Sequence, residues 1–383
     1  MRIAATLTLD DAAVRPWDAV VAGAGPAGSL VARQLALRGF SVLLVDRAAF
    51  PRFRVCGCCL NAGALETLRS VGLGGLARAC GAVQLSEVCL AACGRSARLW
   101  LPGSVSLSRE TFDTALLGSA ISAGVAFLSR TTARSLVEKD GGRVRHVALR
   151  AGEQERAAEA RLLLAADGLG GRVLADEPDC DSPSDPASRI GAGAVAAEAP
   201  AFFAAGTIYM ACGDGGYVGL VRLEDGRLDV AAALDPWLVR KRDGVAGAVA
   251  AILECTDWPP LPCLAELPWR GTPALTRRRR RLAGPGFFVL GDAAGYVEPF
   301  TGEGMAWALA SAAALAPLAA DCLLRPAGGG RWPGLHRRLL GPRQRLCRVV
   351  ARCLRHPRLI AGLVGVLRWA PFLAAPLVRR LCR

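Results

Sequence analysis

Asp18-Ala-Val-Val-Ala22, followed by Gly23-Ala-Gly25-Pro-Ala-Gly28, decides the fold. The first five residues read as a short buried strand, and the glycine turn opens a helix that continues through Leu37 and stops at Gly39. Ser41 to Val45 is a second buried strand, ending in Asp46. Strand, glycine turn, helix, strand and acid stand at the spacing of a dinucleotide-binding βαβ unit. Gly23 permits the tight turn, Gly25 lets the backbone approach a pyrophosphate, and Gly28 lets helix and strand pack closely. Pro26 and Ala27 belong to the same phosphate-facing turn, where the helix N-terminus offers N–H groups and positive potential. Asp46 is placed to accept hydrogen bonds from ribose hydroxyls.

Further along, Glu138–Arg143 joins strands at 131–137 and 144–150, and Glu224–Arg227 joins Tyr217–Leu223 to Leu228–Leu234. The acidic, proline- and serine-rich stretch from Asp176 to Ser188 reads as a linker. A β-rich segment follows, then a helix near Trp237–Glu254. A strand at Phe287–Leu290 then delivers Gly291-Asp292 to a glycine-rich loop, Gly295 to Gly304, ahead of a long helix to about Ala320. Asp292 suits a ribityl hydroxyl. The helix start at Gly302, Gly304 and Met305 aims N–H groups at the edge of a flavin where negative charge gathers on reduction. With the first βαβ unit, this is the signature of the FAD-dependent oxidoreductases with a p-hydroxybenzoate-hydroxylase-like fold.

Within that group the chain resembles the geranylgeranyl reductase family. Phe50-Pro-Arg-Phe-Arg54-Val-Cys56-Gly57 is similar to its FPRxKxCGG segment, and Gly291-Asp-Ala-Ala-Gly…Pro299-Phe-Thr-Gly-Glu-Gly304 matches its second motif. Arg109-Glu-Thr-Phe112-Asp113 matches the R-x-x-F-D element, and Asp167-Gly168-Leu-Gly-Gly-Arg172 the DGxxSxxR element with Gly170 for serine. The resemblance covers about residues 16–320 and implies FAD held by Arg47, Arg54, Gly57, Arg109, Asp167, Gly168 and Pro299 in addition to the residues above. It also places Cys56 beside flavin and substrate. The family's prenyl-binding Y-x-W-x-F-P falls on Tyr217-Val-Gly219-Leu-Val221-Arg222, which keeps only the tyrosine, so the substrate chain itself stays open.

The expected architecture is α/β with an α+β insert. Residues 1–188 and 277–325 form a Rossmann-like FAD-binding domain, 189–276 a β-rich substrate domain, and 326–383 a basic helical tail. Of the 383 residues, 52% are hydrophobic and the mean hydropathy is +0.31, which excludes intrinsic disorder. The net charge of +14 equals the fourteen arginines between Arg325 and Arg383, and no acid follows Asp321. In the tail Leu346, Val349, Val350, Cys353 and Leu354 share one helix face, opposite Arg345, Arg348, Arg352 and Arg355. Leu359–Val378 is apolar but broken by Arg368, Pro371 and Pro376, a pattern suited to lying at an anionic membrane surface rather than spanning it. Interleaved aromatics for nucleic-acid binding are missing. Of the 14 cysteines, the cluster Cys56-Gly57-Cys58-Cys59 and the pair Cys89 and Cys93 have none of His146, His336 and His356 near them, so no metal site is expected. The first 18 residues lack an apolar signal core and carry Asp10 and Asp11, so the expected location is cytoplasmic, with the inner membrane face as the place of work.

The function these residues favour is hydride transfer from reduced FAD to a C=C bond of an apolar isoprenoid, lipid or polyketide-like substrate. A proton would come from Cys56, Tyr217 or Glu303, and the electrons from NAD(P)H or a ferredoxin-like protein. The rivals are a flavin-dependent monooxygenase (a hydroxylase before a halogenase) and a membrane-peripheral electron-transfer flavoprotein.

Overall fold

The structure, a computed structural model, describes residues 2–136, 144–262, 264–298, 300, 302–325 and 329–382. Pro299 and the turn of the first expected hairpin lie outside them.

Parallel strands β1 (Trp17–Ala22), β2 (Val42–Val45), β6 (Ala126–Leu128), β9 (Gln154–Ala165) and β15 (Phe287–Val289) run in the order β15-β9-β1-β2-β6. Alternate residues face opposite sides. Ala19, Val21 and Leu44 pack under the helices α1 (Pro26–Ala36), α2 (Arg109–Ser122) and α3 (Gly304–Leu324). Val20, Leu43 and Val45 face a ribbon formed by β7 (Thr132–Leu136) and β8 (Arg145–Ala151). Each such valine or leucine side chain, fully buried, contributes about 1.5–3 kcal/mol.

Register decides what this sheet can do. Ala22 pairs with Val45 and with Ala165, and Ala165 pairs with Val289. The segments that follow those residues, Gly23, Asp46, Ala166-Asp167 and Leu290-Gly291-Asp292, therefore leave the sheet side by side at its carboxyl edge. That edge is where open parallel sheets bind ligands.

A second, mixed sheet runs β14-β10-β13-β12-β11-β4-β5-β3. Its strands are Arg270–Ala274, Ile190–Ala196, Leu228–Leu234, Gly216–Arg222, Thr207–Gly213, Val83–Ala92, Arg95–Ser106 and Cys59–Leu60 in that order. It thus draws strands both from 190–274 and from 59–106, inside the stretch assigned to the first part of the FAD-binding domain. The β12–β13 hairpin forms as expected, with Tyr217 opposite Ala233. The helix expected over 237–254 is two helices, Pro236–Lys241 and Val245–Leu253, because Asp243 and Gly244 take positive φ of 52° and 122° between them.

The tail forms α4 (Trp332–Cys353), α5 (Pro357–Trp369) and α6 (Ala375–Cys382). The stripe expected on α4 is divided: Leu354 is buried, Leu346, Val350 and Cys353 are half-buried, and Val349 is exposed. Packing against α3 buries Trp332, His336, Leu340 and Cys347 instead, and the Trp332 indole N–H donates to Val289 O at 2.8 Å.

Arg189, at 1% exposure, ties these parts together. It donates to Glu298 at 2.9 Å, to Asp235 at 3.3 Å and to Leu354 O at 3.3 Å, while Arg355 reaches Asp235 at 3.1 Å. Arg189→Met should cost about 3–5 kcal/mol, because it strands the Glu298 carboxylate in a dry site and leaves Asp235 with Arg355 alone. The denaturant midpoint reads this directly.

Candidate active site

At the carboxyl edge of the parallel sheet, Gly23 turns with φ 103°, and a Cβ there would collide with the Ala166 carbonyl. A Cβ on Gly28 would collide with the Gly23 carbonyl. Gly25 differs. The nearest atom to a Cβ built on it is Nη2 of Arg52, 3.7 Å away, so the space above it is open. Gly25 caps α1 without a side-chain hydrogen bond, leaving the first-turn N–H groups free for a ligand. Asp46 is buried; its Oδ2 accepts from Ala24 N at 2.8 Å and its Oδ1 from Ala48 N at 2.9 Å. Each oxygen keeps a lone pair for a ribose hydroxyl.

Basic side chains crowd this space. Arg52 lies 3.2 Å from Asp46 and 3.7 Å from Asp113, and its Nε has no hydrogen-bond partner. Arg109 holds Asp113 through two 2.8 Å bonds. Burial first, then the Arg52 charge, pushes Arg54 down to about 10, with exposed Arg47 also in electrostatic reach. Four guanidiniums facing two carboxylates, beside an uncapped helix start and an open glycine, fit the pyrophosphate of FAD.

The flavin end is built from the second motif. Gly291, at φ 62°, would press a Cβ to 2.8 Å from that of Ala27, so the two glycine turns meet. Burial raises Asp292 to about 6 against the opposing pull of Arg109. Asp167 Oδ2 accepts from Val173 N at 2.9 Å and its Oδ1 is unpartnered. A Cβ on Gly302 would lie 3.6 Å from that of Cys59, which brings the start of α3 over the Cys56–Cys59 segment. Nothing lies within 4 Å of a Cβ built at Gly57 or at Gly168. Met305 is buried behind the first turn of α3, and Gly304 faces the Tyr296 hydroxyl.

Cys56 lies beside this opening. A hydrogen bond from Cys58 and the Arg109 guanidinium hold its thiol below the ordinary value, against burial. Cys58 is raised by that same hydrogen bond and by burial; it takes φ 49° and touches Asp229 on β13. Asp229 is 1% exposed, one of its oxygens has no partner, and burial keeps its carboxyl well above the usual range.

The other two acid candidates sit elsewhere. Tyr217 is buried 5.0 Å from the Phe300 ring and 5.6 Å under Arg189, roofed by Leu354, Ile360 and Val364 of the tail. Glu303 faces Trp307 and α4, where Cys347 donates to it at 3.7 Å. Burial raises Glu303 from 4.5 to about 7, with Arg343 opposing. Its contribution to stability is therefore fully present below about pH 4.5 and is lost as pH rises through about 7. Glu303→Gln should flatten that decline and raise the melting temperature near pH 8; an unchanged profile would mean the carboxyl is not desolvated.

Sequence reasoning missed Arg52 and Asp229. Arg52 stands in the quoted Phe50–Gly57 segment, and its charge beside Asp46 was the available signal. Asp229 is a lone acid in the apolar strand Leu228–Leu234, and that isolated charge is the signal the sequence offers.

Comparison with known proteins agrees with this geometry. Residues 17–204 match the FAD binding domain family. The menaquinone reductase of Mycobacterium tuberculosis is 46% identical over 68 residues, which are 18% of this chain and only 16% of that protein. That of Mycolicibacterium smegmatis is 26% identical over 313 residues, 76% of this chain and 73% of that protein. The flavin-dependent brominase Bmp2 superposes with a TM-score of 0.76 at 17% identity, covering 96% of this chain and 94% of that one. At that identity the likeness establishes the fold. The chain carries an FAD binding domain on residues 17–204, and FAD is the cofactor this match implies.

Proposed function

We propose that this flavoenzyme belongs to the reductase branch suggested by its geranylgeranyl-reductase-like motifs and saturates a carbon–carbon double bond in an apolar isoprenoid lipid. Menaquinone, the substrate named for the mycobacterial relatives, is the first compound to try. The observation that carries the reading is the row Cys56, Cys58, Asp229 beside the open space at Gly57. Bound FAD, once reduced by NAD(P)H or a ferredoxin-like donor, supplies the hydride.

Adding a hydride to one carbon leaves the other in need of a proton. The two sulfurs share one: Cys58 holds it and donates toward Cys56, whose thiolate is stabilised by Arg109. Burial holds the Asp229 carboxyl well above the usual range, and its hydrogen-bond contact with Cys58 places it to reload that sulfur. A proton can therefore pass from the Asp229 carboxyl to the Cys58 sulfur, then to Cys56 and onto the substrate carbon. Tyr217 and Phe300 form an apolar wall on the tail side.

The brominase-like fold supports the rival reading as a monooxygenase. Mixing reduced holoenzyme with menaquinone in detergent, without oxygen, separates them. A quinone whose side chain keeps two extra hydrogens after air reoxidation of the ring supports the reductase, ring reduction alone supports an electron-transfer flavoprotein, and an absolute need for oxygen supports the monooxygenase.

A further inference from the structure

The inner face of the tail packs on the mixed sheet. Ile360, Val364, Leu367 and Ala374 are buried with Leu90, Leu99, Met210 and Tyr217. On α5 a second apolar row, Leu359, Leu363 and Val366, runs one residue out of phase, about 100° round the helix. This outer row is 47–55% exposed. At the end of α5 Trp369 is 85% exposed, and Phe372 and Leu373 follow at 71% and 57%. Apolar residues scattered singly on a surface are ordinary, but a continuous row this large marks an interaction site.

The charge around the row narrows the occupant. Arg345, Arg348, Arg352, Arg358, Arg368, Arg379 and Arg380 are exposed, and no acid follows Asp321. The axis bends by 119° between Pro357–Trp369 and Pro371–Arg380, so the pair makes no straight span. The long apolar helix α3 is mostly buried in the core. A cleft of about 570 Å³ between α4 and α6 shares Arg379 and Arg380 with the basic rim, and Arg343 on its wall is within electrostatic reach of Glu303 at the head of α3.

We infer that the outer face of α5 and α6 docks on an anionic bilayer, with Trp369, Phe372 and Leu373 entering the headgroup boundary and the arginines meeting lipid phosphates. The roof over Tyr217 is then the part of the enzyme that touches the membrane, and the α4–α6 cleft opens toward the lipid. The link to a lipid substrate rests on the proposed function; the docking itself does not.

Each basic residue near such a surface strengthens binding about fivefold, so a few engaged arginines suffice to hold the enzyme there. The test is co-sedimentation of the holoenzyme with phosphatidylglycerol-containing and pure phosphatidylcholine vesicles at low and high salt. The partner variant is Trp369→Ser/Phe372→Ser/Leu373→Ser, whose exposed positions leave the fold and bound flavin intact. The holoenzyme should pellet with the anionic vesicles, about tenfold less in high salt and at least tenfold less in the variant. Equal or negligible pelleting on both vesicle types overturns the inference. So does a holoenzyme dimer that the variant converts to monomer without any vesicle binding, which would assign the face to a second copy of this chain. Vesicle binding with no menaquinone turnover would leave docking standing and remove only the substrate reading.

Discussion

Gly25→Val should give a folded protein that carries no flavin. The expected effect is large because the position is open on the protein side: a Cβ there meets only the tip of the Arg52 side chain at 3.7 Å. Valine therefore fits the apo fold but fills the space where the pyrophosphate must approach the backbone at the start of α1. FAD content, read from flavin absorbance after purification, should fall about tenfold or more, while the far-UV circular dichroism stays as in the wild type. Gly28→Val is the control. Its Cβ would run into the Gly23 carbonyl, so that variant should fail at folding rather than at cofactor binding. A Gly25→Val protein with a full complement of flavin would mean that the pyrophosphate is held elsewhere.

Loss of the Cys56 thiol should have the opposite signature, with bound FAD retained and product formation slowed. General acid catalysis is worth about 10²–10⁴-fold, so Cys56→Ala should lose about a hundredfold or more in turnover. Asp229→Asn retains the shape of the neutral carboxyl but cannot reload Cys58, so it should slow turnover in the same direction and give a larger solvent isotope effect. Single-turnover kinetics with reduced holoenzyme measure both. If Cys56→Ala turns over at the wild-type rate, Cys56 only clears room for the flavin ring.

The parts of this fold legible in the sequence are those whose signal is local. The βαβ unit, the R-x-x-F-D helix start and the Gly291-Asp292 turn each fit in a short window, and register then brings them to one edge. What escaped reading depends on distant pairing. β11 pairs in parallel with β4, Thr207 lying opposite Glu87, and nothing in either strand names the other. The Arg189 hub joins Asp235, Glu298 and Leu354, residues that only the folded chain brings together. Asp229 has meaning only because β13 passes beneath Cys58. The tail is helical, as its sequence predicts, but its buried seam follows the line of α3, which shifts it off the stripe that periodicity alone selects.

The central claim is that reduced flavin adds hydrogen to a double bond and not oxygen to a carbon. Mass spectrometry of the product formed from menaquinone by the reduced holoenzyme, with and without oxygen, tests it most directly. The account predicts one product whose side chain is heavier by two hydrogens, a gain that persists after air has reoxidised the quinone ring, formed equally well in the absence of oxygen. A product heavier by an oxygen atom and formed only in air would contradict it.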